Sequence, residues 1–126
     1  MDVKNLLNKQ ELALIQCRSN LKASALVAFN YALTAGIFSI MVIWTNPITI
    51  VFGILLLGTR QLGFGVLVHE CGHGTLFKSQ RLNKIVGEWL AAAPTFNNLH
   101  AYSAEHIKHH RMAGTTQDPD LAHYRD

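Results

Sequence analysis

The sequence predicts an all-α integral membrane protein: a hairpin of two transmembrane helices, followed by cytosolic or interfacial helices that carry histidine clusters. Composition is the first reason, because 49% of the 126 residues are hydrophobic and only 15% are charged, which is apolar for a soluble domain. The second is a run from Ala23 to Thr59 without any Asp, Glu, Lys or Arg. Since roughly 20 apolar residues cross a bilayer, this run holds one transmembrane helix and most of a second.

The elements are predicted in chain order as follows. Residues 1–22 form a polar leader, predicted to be cytosolic. Apolar residues at loosely helical spacing indicate an amphipathic surface helix within it: Leu6, Leu7, Leu12, Leu14 and Ile15. Residues 23–44 form the first predicted transmembrane helix and residues 48–68 the second. Pro47 predicts a turn between them, because the residue before a proline disfavours helix.

Residues 69–126 are predicted to lie in the cytosol, as the leader does, because of where the basic residues are. Lysines and arginines precede the first predicted span and follow the second, and the loop between the spans has none. The positive-inside rule therefore puts both termini in the cytosol. Within this region, residues 81–99 are too short in apolar length to span, which indicates an interfacial helix or a re-entrant segment. The net charge of +3 gives no reason to expect a nucleic acid as partner.

The first histidine pair is His69-Glu70-x-x-His73. This pattern is typical of zinc protease helices, but here it follows a predicted transmembrane helix. If that helix continues, His69 emerges at the cytosolic surface and His73 follows one turn later on the same face. Two imidazoles on a rigid helix at the membrane surface are predicted to be metal ligands.

The second cluster is His106-x-x-His109-His110. On a helix these three side chains fall within an arc of roughly 100°. Converging neutral imidazoles make a strong donor set for iron, zinc or copper, whereas a solvated basic face would not require histidine rather than lysine. Metal-bound histidines usually donate their second ring nitrogen to a carboxylate or carbonyl. The acids that are candidates for this role are Glu70, Asp118 and Asp120.

Together the two clusters resemble the first two histidine boxes of the membrane fatty acid desaturase family. The segments "HECGHGTLF" and "HIKHHRMAGTTQDPD" are similar in sequence to those boxes and their flanks, and the resemblance covers most of the chain. It implies an oxidoreductase of lipid metabolism that introduces a double bond into the acyl chain of a membrane lipid. It also implies O2 as co-substrate and an electron donor of the ferredoxin or cytochrome b5 type.

The same resemblance implies a centre of two irons held almost wholly by histidine, with no catalytic residue separate from the ligands. Five residues of this chain match its ligand pattern: His69, His73, His106, His109 and His110. Iron agrees with the chemistry as well. Taking hydrogen from an unactivated methylene requires a redox metal that can activate O2, and zinc has no redox chemistry.

The chain departs from the family pattern in one respect. A third histidine box, expected after another pair of transmembrane helices, does not occur before Asp126. Five box histidines cannot complete a two-iron site. We therefore expect residues 1–126 to be the N-terminal part of a longer desaturase domain, and to be inactive alone.

Three alternatives remain open from the sequence. A related histidine-box hydroxylase or ketolase would use similar ligands. An intramembrane zinc metalloprotease would use His69 and His73 as ligands and Glu70 as general base, but it leaves the second cluster without a role. A non-catalytic membrane remnant is the third alternative. Iron content would separate the oxygenase types from the zinc protease.

Overall fold

The computed structural model describes residues 8–15 and 17–124, and every regular element in those residues is a helix. The predicted all-α fold class is therefore confirmed. A π-helical turn (Gly87–Ala92) and a 3-10 turn (Ala93–Thr95) continue the fourth helix without a break, and a second 3-10 turn follows the fifth (Pro119–Tyr124). The α-helices are α1 (Lys9–Ile15), α2 (Asn20–Ile43), α3 (Pro47–Gly72), α4 (Gln80–Val86) and α5 (Leu99–Met112).

The α1 helix lies in the predicted leader. Asn8 caps it, because its side-chain oxygen accepts hydrogen bonds from the backbone N–H groups of Gln10 and Glu11, at 3.0 and 2.9 Å. The Glu11 carboxylate accepts from the Asn8 backbone N–H in return, at 2.8 Å, which completes a capping box. Leu6 and Leu7, which the amphipathic pattern includes, lie outside the described residues.

The α2 and α3 helices form the predicted hairpin, and both are long and apolar enough to cross a membrane. The α2 helix begins at Asn20, three residues before the predicted span, because the Ser19 side chain caps it. The α3 helix begins with Pro47 in its first turn, after an Asn46 side chain that accepts from two backbone N–H groups. It continues to Gly72 and therefore carries His69 within its last turn, as the sequence led us to expect.

The hydrophobic core lies at one end of this hairpin rather than along it. Phe64, Leu67, Val68 and Cys71 of α3 are buried there. The rest of the hairpin is covered by exposed large apolar side chains, which suits helices surrounded by lipid. These side chains include Phe29, Phe38, Ile40, Val42, Phe52, Ile54, Leu55 and Leu62.

The segment from α4 through the two turns after it packs across the end of α3. Ala91 and Ala92 are fully buried there, while Trp89 and Phe96 are 70% and 101% exposed. A helix with one face against the protein and large apolar side chains on the other face is typical of the membrane interface. For residues 81–99, the interfacial helix and the re-entrant segment both stay predictions.

The two long helices come close where Gly63 of α3 faces Asn30 of α2. A Cβ atom at Gly63 would overlap the Asn30 side-chain oxygen, and Asn30 is buried although it lies within the apolar run. The next residues of the two helices, Tyr31 and Phe64, meet edge to face with ring centroids 5.2 Å apart. The Tyr31 hydroxyl also donates to the Leu90 carbonyl at 3.1 Å, which joins the hairpin to the π-helical turn.

Replacing Gly63 should loosen the hairpin. We expect Gly63→Val to lower the free energy of unfolding in detergent by about 1–3 kcal/mol, the usual cost of overpacking. Gly58→Val is the matched control, because a Cβ atom at Gly58 meets nothing within 4 Å, and it should change stability by less than about 0.5 kcal/mol. Equal losses for the two variants, measured by titration with a denaturing detergent, would contradict this packing.

Candidate metal centre

The first histidine pair is placed by the way α3 ends. Gly74 adopts a left-handed backbone conformation, with φ of 67°, which glycine reaches without strain. The backbone N–H of Gly74 donates to the Cys71 carbonyl and that of Thr75 donates to the Glu70 carbonyl, both at 2.9 Å. These two bonds are the Schellman motif that closes many helices. The helix thus stays regular up to its last turn, and the rings of His69 and His73 lie side by side with centroids 4.7 Å apart.

The second cluster is placed by α5, whose first turn is capped twice. The Asn98 side chain accepts from the Ala101 backbone N–H at 2.8 Å. The Glu88 carboxylate accepts from the Leu99 backbone N–H at 3.0 Å and from the Asn98 amide at 3.1 Å. A carboxylate at a helix N-terminus also complements the helix dipole. These contacts set where α5 begins, and therefore where its histidines lie along the axis.

Two glycines let α5 and the π-helical turn approach the end of α3. A Cβ atom at Gly72 would lie 2.7 Å from the Ser103 hydroxyl oxygen, and one at Gly87 would lie 2.6 Å from the Cβ of Cys71 and 2.8 Å from a methyl carbon of Leu99. Side chains at these positions would hold the helices apart. The close packing brings the two histidine clusters face to face.

Four of the five predicted ligands converge. His69, His73, His106 and His110 each offer one ring nitrogen, and these nitrogens all lie within 4.8 Å of one another. The Nε2 atoms of His106 and His110 are 2.9 Å apart. Metal–nitrogen bonds of about 2.0–2.1 Å place tetrahedral ligands roughly 3.4 Å apart. Small side-chain rotations would therefore suffice for these four nitrogens to share one metal ion.

Two histidines of the cluster, His73 and His106, have a lowered pKa, which favours the neutral imidazole that binds metals. Burial first, and then the positive charge that neighbouring histidines would carry, holds the pKa of His73 below its ordinary value. The same two causes lower the pKa of His106, which faces His69, His110, His73 and His109. A neutral imidazole has a free lone pair, so these side chains are ready to bind a cation at neutral pH.

His109 is the predicted ligand that lies apart from the other four. Its Nδ1 is 2.8 Å from Asp118 Oδ1 and 3.2 Å from Asp120 Oδ2. Asp118 is buried and also accepts from the Asp120 backbone N–H at 3.0 Å. The hydrogen bond with Asp118 raises the pKa of His109, and it lowers the pKa of Asp118 in turn. Both acids of the Asp-Pro-Asp run thus lie where an acid that orients a histidine would be.

The carboxylate of Glu70 contacts the ring of its neighbour His69. One carboxylate oxygen is 3.1 Å from His69 Nδ1, and the other accepts from the Thr75 hydroxyl at 2.6 Å. Thr75 is not among the residues predicted from the sequence, although a glycine directly after a helix-terminal histidine is a signal for the turn that brings it there. Neither is Tyr102, which precedes His106 by one turn and stacks on its ring with centroids 5.2 Å apart. His100, in the first turn of α5, is not one of the four histidines whose ring nitrogens converge.

Comparison with known proteins gives one family and several relatives. Residues 45–126 match the family model described as fatty acid desaturase. The chain is 32% identical over 100 residues to the sn-1 oleoyl-lipid 12-desaturase of Picosynechococcus sp. (strain ATCC 27264 / PCC 7002 / PR-6), covering 78% of this chain and 28% of that protein. No match was found among solved structures.

Two further relatives carry different names. The dihydrorhizobitoxine desaturase of Bradyrhizobium elkanii is 35% identical over 80 residues, which is 62% of this chain and 22% of that protein. The beta-carotene ketolase of Paracoccus sp. (strain PC1) is 32% identical over 82 residues, which is 62% of this chain and 33% of that protein. The chain therefore spans between about a fifth and a third of the length of these relatives.

The four-histidine cluster predicts how the protein binds a metal. We expect titration of the detergent-solubilised chain with Co²⁺, followed by its visible absorption, to show one tightly bound ion. His106→Ala should weaken that binding at least about a hundredfold, since changes outside the ligand set alone cost 10- to 100-fold. His109→Ala should weaken it less than about tenfold, and His100→Ala, the control on the same helix, should not change it. Equal losses for the first two variants would contradict the four-histidine grouping.

The contact between His109 and Asp118 predicts a measurable titration. In the metal-free protein the Asp118 carboxylate stabilises the imidazolium form of His109, so removing that charge should lower the pKa of His109 toward about 6.5. NMR titration of Asp118→Asn should show this decrease, and Asp120→Asn, which removes the longer contact, should show a smaller one. The attraction requires both charges. It is therefore lost when acid protonates Asp118 and also when base deprotonates His109. An unchanged His109 pKa in Asp118→Asn would contradict the contact.

Proposed function

The chain belongs to the fatty acid desaturase family, and on that premise we propose that it is part of an O2-dependent enzyme that introduces a double bond into the acyl chain of a lipid. One observation carries the proposal. Four imidazoles, at least two of them held neutral, converge where a pair of apolar helices long enough to span a membrane ends. A metal centre at that place adjoins both the lipid and the aqueous phase.

Iron is the metal that suits this centre. Bound iron would supply the redox chemistry with O2 that no side chain can provide. The protein holds four nitrogen donors in place, and imidazole suits iron as well as zinc. His109 would be the fifth ligand. Its Nδ1 is engaged by Asp118, so its Nε2 is the ring nitrogen that would be free to bind a second iron.

The position of Glu70 argues against a zinc protease. A general base must reach a water molecule on the open side of the metal. Here the Glu70 carboxylate contacts His69 Nδ1 and the Thr75 hydroxyl, so both of its oxygens are engaged by the protein. A protease would also leave without a role the two histidines of α5, His106 and His110, that converge with His69 and His73. These contacts favour the role of Glu70 as an acid that orients His69.

An apolar recess supports a lipid substrate. Leu62, Gly65 and Val66 line it on the exposed face of α3, and its volume is about 570 Å³. Its inner end is more polar and includes His69, Glu70, Asn97 and Tyr102. Ligand cavities commonly measure about 300–1,000 Å³. An acyl chain that partitions into the bilayer could enter from the membrane side and place a methylene beside the histidine cluster. Gly65 leaves this path open, because a Cβ atom there meets nothing within 4 Å.

The reaction needs electrons from a partner. The family implies a donor of the ferredoxin or cytochrome b5 type. From the positive-inside rule we infer that both termini and the histidine cluster lie in the cytosol, where such soluble donors are found. The exposed lysines and arginines that follow α3 include Lys78, Arg81, Lys108 and Arg111.

A ketolase or hydroxylase is the second candidate, and the likeness to a beta-carotene ketolase favours it. Both chemistries would use the same histidines, the same iron and O2. They differ in what becomes of the activated carbon, which gains an oxygen in a ketolase and loses a second hydrogen in a desaturase. The product of the reaction therefore decides between them.

The proposal is tested with the natural protein that contains this chain, expressed in a host that lacks the activity. We expect the purified protein to contain iron and little zinc by mass spectrometry, and the host lipids to gain a double bond by gas chromatography. His106→Ala should reduce the iron content to less than about a tenth and abolish the new product. His100→Ala is the control and should retain both.

The other outcomes discriminate between the alternatives. An oxygenated carotenoid or acyl product, with iron bound, would favour the ketolase or hydroxylase. Zinc in place of iron, with proteolysis that Glu70→Gln abolishes, would overturn the proposal in favour of the protease. Iron-free protein without any product would overturn it as well.

A further inference from the structure

The turn after α3 carries a hydroxyl group close to the metal centre. Thr75 follows Gly74, and its backbone N–H donates to the Glu70 carbonyl at 2.9 Å as part of the Schellman motif. In that motif the residue after the glycine usually makes an apolar contact with the residue five positions earlier. Here the pair is Thr75 and Glu70, so a polar contact takes its place.

The contact continues to a predicted ligand. The Thr75 hydroxyl lies 2.6 Å from Glu70 Oε2 and 2.9 Å from the Glu70 backbone carbonyl oxygen, and its one proton goes to the carboxylate, which is the closer and the charged acceptor. Glu70 Oε1 is 3.1 Å from His69 Nδ1. An ionised carboxylate only accepts hydrogen bonds, so His69 must carry its proton on Nδ1 to make this one. Its Nε2 is then the unprotonated atom that can bind a metal. The proton position on His69 therefore depends on where the Glu70 carboxylate is held.

Thr75 itself is held in place from several sides. The Arg18 guanidinium, from the segment before α2, donates to the Gly74 carbonyl at 2.7 Å. Further along the loop, the buried Asn83 side chain accepts from the Phe77 backbone N–H at 2.9 Å and donates to its carbonyl at 3.0 Å. The loop that carries Thr75 is thus fixed to both neighbouring segments, and the hydroxyl has a defined direction.

From this geometry we infer that Thr75 is a positioning residue for the metal centre: its hydroxyl fixes the Glu70 carboxylate, and the carboxylate fixes the ring and the proton of His69. The inference deepens the proposed function and rests on it for the identity of the metal. The contact chain itself requires no bound metal. Without the hydroxyl, Glu70 is free to rotate toward water, and the more common tautomer of imidazole, with the proton on Nε2, would compete with metal binding.

The test compares Thr75→Val, which removes the hydroxyl but keeps the shape, with Thr75→Ser, which keeps the hydroxyl. In the metal-free, histidine-labelled chain, ¹H–¹⁵N NMR should show His69 protonated on Nδ1 in the wild type and in Thr75→Ser. It should show a shift toward the Nε2-protonated form in Thr75→Val. Zn²⁺ affinity should decrease about tenfold in Thr75→Val, at the lower end for a residue outside the ligand set, and by less than about twofold in Thr75→Ser.

A matched control is Thr115→Val. Thr115 lies beyond the end of α5, and its hydroxyl donates to the Met112 backbone carbonyl at 2.7 Å rather than to a carboxylate. This variant should leave both the His69 tautomer and the Zn²⁺ affinity unchanged. Unfolding of all three variants by denaturing detergent identifies any that fail to fold, and Thr75→Ala, which also lacks the hydroxyl, replaces Thr75→Val if that variant is one of them.

The outcomes separate this inference from the proposed function. If Thr75→Val folds and keeps both the Nδ1-protonated His69 and the wild-type affinity, Thr75 has only a structural role and the inference is wrong. If Thr75→Ser behaves like Thr75→Val, the hydroxyl is not the cause and the inference is also wrong. A failure of the natural protein to bind iron would overturn the proposed function, whereas the tautomer measurement in metal-free protein would still decide the role of Thr75.

Discussion

The close packing of α5 and the π-helical turn against the end of α3 is the constraint on which the four-histidine cluster depends. Gly72 and Gly87 have no side chains to separate these segments, and the buried side chains of Cys71 and Leu99 fill the space between them. The pair His69 and His73 and the pair His106 and His110, which are distant in the sequence, therefore face each other across one gap. Glu88 caps the first turn of α5, and this contact sets where along the helix axis the histidines of α5 lie.

The buried core of the protein lies at this same end of the hairpin. The core is small and lies near the last two turns of α3, while most of the large side chains of α2 and α3 point outward. In water such a surface would drive aggregation, whereas in a bilayer it costs nothing. The two long helices associate by close approach, as at Asn30 and Gly63. The hydrogen bond from the Tyr31 hydroxyl to the Leu90 carbonyl then joins α2 to the π-helical turn.

The acids around the histidines have separate roles. Glu70 is bound to His69 and Asp118 to His109, each through the Nδ1 atom of the ring. Such pairs commonly orient metal-binding histidines and set which nitrogen is free for the metal. The His-Glu-x-x-His motif is typical of zinc proteases, in which the carboxylate is the general base. Here that carboxylate contacts the preceding histidine and a threonine hydroxyl.

The sequence by itself determined the helical class, the two apolar helices and the spacing of the histidine pairs. These properties are local: composition decides whether a segment suits lipid, and a separation of four residues places two side chains on one helix face. The tertiary structure alone decided that four of the five predicted ligands meet, that His109 turns to Asp118, and that Thr75 supports Glu70. These facts depend on how closely two helices pack and on how a turn closes. Both are set by contacts between residues that are distant in sequence, such as Gly87 with Cys71 and Arg18 with Gly74.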